Sequence, residues 1–210
     1  IFEKEDFDYV IPMDGDGEDR PDEIVQFVEK ITKNPNISVV GKRVKRSENN
    51  IFKFCYEVHK IITYIFTGKL IRFGHFTCIP KSVVKKMINE KATWNCYSAS
   101  LVKITKIRDS IPSIRGKRYF DLSKMSFYNL ITHSLSIISV FKTNVIIRSL
   151  GFIILYSLII QNNFSIITSF PIVLIIIFKI LILKLSQREN MQEYDKCLEN
   201  ISDIDVVKND

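Results

Sequence analysis

The chain has 210 residues, 46% hydrophobic and 25% charged, with only 7 Gly and 6 Pro. It can bury a core, and a collagen-like, low-complexity or mainly disordered chain is excluded. Lys and Arg number 30 against 23 Asp and Glu, a net charge of +7 that suits a nucleic acid, an anionic membrane face or a phosphorylated ligand without choosing among them.

The opening Ile1-Phe2-Glu3 has no initiator methionine and leads straight toward a strand, so the chain reads as a fragment with its N-terminal part elsewhere. Phe7 to Met13 reads as a buried strand ending in acid. Pro21 to about Lys33 reads as a helix, with Pro21, Asp22 and Glu23 suited to its first turn and Ile24, Phe27, Val28 and Ile31 on its apolar face. Asn34-Pro35 stops it, and Ile37 to Val40 is the next strand. This β-α-β order is the signature of a parallel sheet with helical crossovers. Ile51, Phe54, Cys55, Val58, Ile61, Ile62 and Ile65 then recur at helical spacing until Gly68. Short strands are expected near Ile71 and Phe76, then helices from Lys81 to Asn89 and from about Ala99 to Lys106. Ser126 to Phe141 is amphipathic and suited to a membrane interface. The tail after Gln187 is polar and acidic.

From Ser149 to Phe178 there is not one charged residue, a stretch too long for an ordinary buried helix. The polar turn Gln161-Asn162-Asn163 divides it into two spans, from about Val145 to Ile160 and from Phe164 to about Leu183. The first is short for a bilayer, so Arg148 has to snorkel or the helix has to begin earlier. Pro171 falls in the second span, where neighbouring helices tolerate it. Lys142 and Arg148 precede the first span, and Lys179, Lys184 and Arg188 close or follow the second. Positive flanks face the cytoplasm, which puts both ends of the hairpin there. A single span preceded by a surface-lying helix is the other arrangement these residues permit. The four cysteines (Cys55, Cys78, Cys96 and Cys197) have no CxxC spacing and form no ligand pattern with His59, His75 and His133, so a reducing compartment fits.

The most informative stretch is Val10-Ile11-Pro12-Met13-Asp14-Gly15-Asp16-Gly17-Glu18-Asp19. Apolar residues run into two carboxylates one residue apart. At the carboxyl end of a parallel strand such a turn lies in the ligand crevice. Hard oxygens at this spacing suit Mg²⁺ or Mn²⁺, which in turn bind a diphosphate. An EF-hand fails, because its sixth and twelfth positions are Asp19 and Val25. A haloacid-dehalogenase-type phosphatase matches DxDG at Asp14, Asp16 and Gly17 but has Glu18 where Thr or Val is usual, and no use for a hairpin. An acidic surface turn is the remaining reading.

The passage from Asp8 to Val40 resembles the second half of the nucleotide-sugar domain in glycosyltransferase family 2, in the membrane-associated branch of dolichyl- and polyprenyl-phosphate sugar synthases. Asp14, Asp16 and the Asp19-Arg20-Pro21 turn occupy the positions of that family's DxD motif and acidic Pro-containing turn. Gly41-Lys42-Arg43 matches a basic turn, and Phe73-Gly74-His75-Phe76-Thr77 a glycine-led segment before the acceptor-side helix. Trp94-Asn95 is similar to a motif of the branch. Arg115-Gly116-Lys117-Arg118 and Ser123-Lys124-Met125 look like its basic loop, and two C-terminal spans follow. The likeness covers nearly all of residues 8 to 185. It departs twice. The family's first βαβ unit has no counterpart, and His75 stands where relatives carry a small or acidic polar residue.

The resemblance implies an α/β chain. Residues 1–121 would form a partial GT-A-like, Rossmann-related domain, 122–144 an interfacial helix region, 145–185 two transmembrane helices and 186–210 a cytoplasmic tail. It implies sugar transfer from a nucleotide-sugar donor to a lipid-linked or membrane-proximal acceptor, with Mg²⁺ or Mn²⁺ on Asp14, Asp16 and Glu18. Arg43, Lys53, Arg115, Lys117, Arg118 and Lys124 would hold phosphates, together with Lys45 and Arg46. Trp94 would lie on the acceptor side. Asp16 would be catalytic, and His75 would serve as base if the acceptor is a hydroxyl. A non-catalytic membrane-anchored protein that binds anionic head groups is the alternative; nucleic-acid binding draws only on net charge.

Overall fold

The computed structural model describes residues 6–45, 50–119, 126–189, 192 and 196, and for 45, 50–53 and 127 the backbone alone. Strands β1 (Tyr9–Val10), β2 (Ser38–Lys45), β3 (Phe73–Pro80) and β4 (Arg108–Ile114) form one sheet in the order β1-β3-β2-β4. β3 runs antiparallel to both β1 and β2, while β2 and β4 are parallel. The sheet is therefore mixed. β1, β2 and β4 point one way, and the reversed β3 sits between β1 and β2. The expected parallel relation of the first two strands holds in direction, but they are not neighbours.

Helix α1 (Ile24–Lys33) covers one face of the sheet. A single 3-10 turn, Pro21–Glu23, starts it, because Pro21 has no N–H to leave unsatisfied there. Phe27 and Ile31 of α1 are buried with Val39, Phe76, Cys78 and Ile111, and the Phe27 and Phe76 rings meet edge to face at 4.8 Å. Val28, expected on the inner face, is exposed. The opposite face is covered by α3 (Lys81–Ile88) and α5 (Tyr97–Ile104), where Val40 and Ile79 pack on Val83, Val84, Met87 and Leu101. The short α4 (Ala92–Asn95) links those two helices.

Strand β4 was not expected from the sequence. It contains Pro112 and opens with the polar run Arg108-Asp109-Ser110, and only Ile111 and Ser113 are buried. Its place at the sheet edge explains both features, since an edge strand has one side where a missing N–H costs nothing.

Helices α2 (Asn50–Thr67), α6 (Phe127–Ser139), α7 (Lys142–Ile160) and α8 (Ile166–Ser186) make a second cluster beside the sheet. Its small core is Ile138, Val145 and Ile182, with Ile62, Phe66, Leu135 and Phe178 around it. A further patch of Ala92, Cys96, Ala99 and Val102 with Val140 and Phe141 joins it to the sheet domain. α7 and α8, 19 and 21 residues, are both long and apolar enough to cross a membrane, and 17% and 6% of their most apolar stretches are buried in the protein. Helices in the core of a soluble protein would be mostly buried. α7 begins at Lys142, earlier than the apolar run alone implies, so Arg148 lies within the helix. Arg148 turns back and donates to the backbone carbonyls of Ile65 and Tyr64 at the end of α2, at 2.8 and 3.4 Å. A capping box of Ser165 and Thr168 opens α8, and Pro171 lies inside that helix.

Candidate functional site

β1, β2 and β4 end on the same side of the sheet, and β3 begins there. The acidic turn leaves β1 at that end, Arg43 lies near the end of β2, and the loop from Arg115 follows β4 directly. Topology alone thus brings three of the sequence-predicted segments to one end of the sheet, the end where ligands of open α/β sheets lie.

Backbone hydrogen bonds lock two of these segments together. Gly116 N–H donates to the Glu18 carbonyl at 2.8 Å, and Tyr119 N–H to the Asp16 carbonyl at 2.9 Å. The approach requires glycine on both sides. A Cβ on Gly116 would stand 2.3 Å from the Gly17 carbonyl oxygen. Gly17 has φ +88°, and a Cβ there would meet the Tyr119 ring at 2.9 Å.

The charges interleave. Arg118 donates from Nε to Glu18 Oε1 at 2.7 Å and lies 3.2 Å from Asp16 Oδ2. Arg115 also pairs with Glu18. Burial alone would raise the Glu18 carboxyl, but hydrogen bonds and charge from Arg118 and Arg115 outweigh it and hold Glu18 below its ordinary pKa. Asp19 is buried and accepts from the Asp14 N–H at 3.0 Å. Burial raises its pKa, the Asp14 hydrogen bond opposes that, and the charges of Asp14, Arg43 and Asp16 also reach it. Asp16 also accepts from the Glu18 N–H at 3.0 Å, which shapes the turn. The carboxyl of Asp14 is exposed.

Mg²⁺ is commonly held by one or two carboxylates together with substrate phosphates and waters. Asp14 and Asp16 are two carboxylates of that kind, and Asp16 also faces Arg118 and the Glu18 N–H. Among the described residues no group of three His, Cys, Asp or Glu closes into a metal cage. Glu18, expected as a third ligand, is engaged by two arginines.

The remaining expected residues fall elsewhere or outside what is described. Lys117 is exposed in the docked loop. Arg43 reaches the start of β3, its guanidinium 3.6 Å from where a Cβ on Gly74 would sit. Lys53 lies in the first part of α2, with its side chain outside the described residues, as is that of Lys45; Arg46, Lys124, Cys197 and most of the tail also lie outside them. His75 is on the α5 face of β3, its ring 5.3 Å from that of Tyr97, whose hydroxyl pairs with Thr77 at 2.7 Å. Burial pushes the Tyr97 phenol up to about 12. Desolvation first, and the charge of His75 second, hold His133 on α6 below its ordinary pKa. Among the described residues no hydrogen bond or ion pair joins His75 to the acidic turn. Trp94 sits on α4, at the junction with the hairpin cluster. Its neighbour Asn95 donates to Ser139 Oγ at 2.8 Å and to the Leu185 carbonyl at 3.4 Å.

Two acids contribute more than their sequence positions indicated. Asp19 folds back on the turn, and the buried Glu23 accepts the Ile114 N–H at 2.9 Å, tying the end of β4 to the start of α1. An acid two residues after a helix-starting proline was the available signal for Glu23. No family model, curated protein or solved structure matches the chain.

Proposed function

We propose that this protein is a membrane-attached glycosyltransferase. It moves a sugar from a nucleotide-sugar donor to a lipid-linked or membrane-proximal acceptor, a polyprenyl phosphate or glycolipid. The observation that carries the reading is the docking of the Arg115–Tyr119 loop onto the Asp14–Asp19 turn at the carboxyl end of the sheet, in a chain that also carries an apolar helical hairpin. Diphosphate binding needs carboxylates to hold a metal and guanidiniums to meet the phosphates, and both occur at this end of the sheet.

Asp14 and Asp16 would hold Mg²⁺ or Mn²⁺, which supplies Lewis-acid neutralisation of the diphosphate as it departs. Arg43, Lys117 and Arg118 carry the positive charge at the same end. Asp19 fixes the backbone of the turn through Asp14 N–H. Glu18 orients Arg115 and Arg118, which places a rigid basic wall next to the two aspartates. A polyprenyl phosphate acceptor is already an anionic nucleophile, so no base has to take a proton from it. A hydroxyl acceptor requires one, and His75 is the candidate for that case. The two spans of the hairpin have both flanks on the cytoplasmic side, with the sheet domain.

Membranes containing the full-length protein should transfer radiolabelled sugar from a panel of nucleotide-sugars into an organic-extractable lipid product, and the double variant Asp14→Ala, Asp16→Ala should not. Equal transfer by the double variant removes the metal assignment. If neither protein transfers sugar while the chain still retains anionic lipid, the non-catalytic membrane partner replaces the enzyme.

A further inference from the structure

Helix α2 is inside out by the standards of a helix on a soluble domain. Phe54, Val58, Ile61 and Ile65 recur at intervals of four, three and four residues, which places them on one stripe. That stripe faces outward, with exposures of 69%, 37%, 58% and 54%. The opposite side of the helix carries Thr63 and Thr67, which are 3% and 0% exposed. Thr67 satisfies its hydroxyl on the Thr63 carbonyl at 2.6 Å, and Thr63 meets His59 Nε2 at 3.4 Å. A surface helix in water puts its apolar stripe toward the core and its polar side out. Ile62 and Phe66 also pack inward, but this second apolar stripe is left outside, which a helix facing water avoids.

The position of α2 identifies what the stripe faces. Its C-terminal end is fastened to the hairpin. Asn144 Nδ2 donates to the Thr67 carbonyl at 2.9 Å, Arg148 binds the Tyr64 and Ile65 carbonyls, and the Phe66 ring lies 4.6 Å from that of Phe178. Ile62 and Phe66 pack on Val145 and Ile182. These partners belong to the first turns of α7 and the last turns of α8. They mark the level at which both helices of a membrane hairpin meet water. The C-terminal end of the α2 stripe, at Ile61 and Ile65, therefore stands beside the first turns of α7 and the last turns of α8. Exposed Tyr64, beside the stripe, has the amphipathic ring favoured at that depth.

We propose that α2 is a second membrane anchor. It lies in the cytoplasmic-side interface of the bilayer, with Phe54, Val58, Ile61 and Ile65 in the acyl boundary, and so fixes the sheet domain against the membrane. The proposal rests on the reading of α7 and α8 as membrane-spanning. It goes beyond the interfacial role expected of residues 126–141, since it assigns a membrane-facing surface to the helix that connects β2 to β3. It also accounts for the solvation of Thr63, Thr67 and His59 by protein rather than by water.

The test uses the full-length protein with single cysteines, in a background without native cysteines. It is reconstituted into phosphatidylcholine–phosphatidylserine vesicles whose acyl chains carry bromine as a quencher. An environment-sensitive fluorophore is placed by Phe54→Cys, Ile61→Cys or Ile65→Cys. Val173→Cys on α8 is the membrane control, and Val25→Cys on α1 is the water control. All five positions are exposed, so the labels leave the core intact. Brominated lipid should quench the three α2 labels and Val173, and leave Val25 unchanged. Quenching at Val173 with α2 labels that behave like Val25 overturns the α2 proposal and leaves the hairpin standing. No quenching at Val173 removes the membrane reading itself, and with it this one. Blue-shifted α2 labels that ignore the brominated lipid show that a second protein surface covers the stripe, which also overturns the proposal.

Discussion

The two ends of this molecule obey opposite rules about what faces outward. At the sheet end, Phe27, Ile31, Val39 and Phe76 are hidden, and the charges of Asp14, Lys42 and Lys117 look out. Toward the hairpin, Ile154, Leu155, Ile166 and Phe170 look out, while Ser149 and Ser186 are buried. Helices at both ends repeat apolar residues at the same period, yet that period marks a core face in α1 and an outer face in α2. Periodicity reports that a helix has two sides. Which side is inside depends on the medium each side meets.

The largest effect expected to sharpen this comparison is chemical. Asp16→Ala should lower sugar transfer by about 100- to 1,000-fold, the scale of losing one preorganised electrostatic partner of a reacting group. Membrane attachment should be unchanged, because the turn lies in the sheet domain. Radiolabelled transfer and carbonate extraction on the same membranes read both quantities. Parallel loss of attachment would show that the two ends do not act separately.

The next prediction separates the two kinds of core. Phe27→Ala removes a fully buried ring that touches Phe76 and should cost about 3–5 kcal/mol. Hydrogen exchange of β2, β3 and α1 should rise steeply, while α7 and α8 keep their protection. Equal deprotection of the hairpin would show that its helices depend on the sheet domain for their order.

Much of this division was legible in the sequence. The charge-free run placed both hairpin helices, and Pro21 with Ile24, Phe27 and Ile31 placed α1. The acidic turn was legible in its spacing, and the loop from Arg115 to Arg118 was singled out by the resemblance as a basic loop ahead of the interfacial helix, without any link to the turn. What was missed has physical causes. β4 carries Arg108, Asp109 and Pro112, which weaken any strand pattern, and it exists because β2 offers a parallel edge. Only Tyr9 and Val10 of the run from Phe7 to Met13 pair as a strand. The single β3 replaces two short strands, since its pairing with β2 is set by distant residues. The clamp of Arg115 and Arg118 on Glu18 spans nearly a hundred positions and leaves no local signal.

A third prediction concerns that docked loop. Gly116→Ala places a methyl where the Gly17 carbonyl oxygen stands, only 2.3 Å from the ideal Cβ, and the contact is backbone, so neither side yields cheaply. The loop should undock, releasing Arg118 from Asp16. Proteolysis near Lys117 should accelerate and sugar transfer should fall, with little change in the unfolding of β2 and β3. Unchanged proteolysis would mean that the ion pairs hold the loop without its two backbone hydrogen bonds.

The smallest expected effect lies at the seam between the two ends. Asn95 on α4 gives its side-chain N–H groups to Ser139 of α6 and to the Leu185 carbonyl near the end of α8. It is thus a polar link from the sheet domain to both helices. Asn95→Ala should cost only about 1 kcal/mol, for three reasons. Ser139 Oγ still donates to the Ser136 carbonyl at 2.8 Å, the Arg188 N–H still donates to the Leu185 carbonyl at 3.2 Å, and the apolar contact of Val102 with Val140 and Phe141 is untouched. The loss should therefore be local. Amide exchange should rise in α4 and in the last turn of α8, while transfer and attachment stay near wild type. If exchange rises throughout α7 and α8 instead, the seam is polar in its energetics. The apolar patch around Phe141 would then be following the hydrogen bonds, not holding the two ends together.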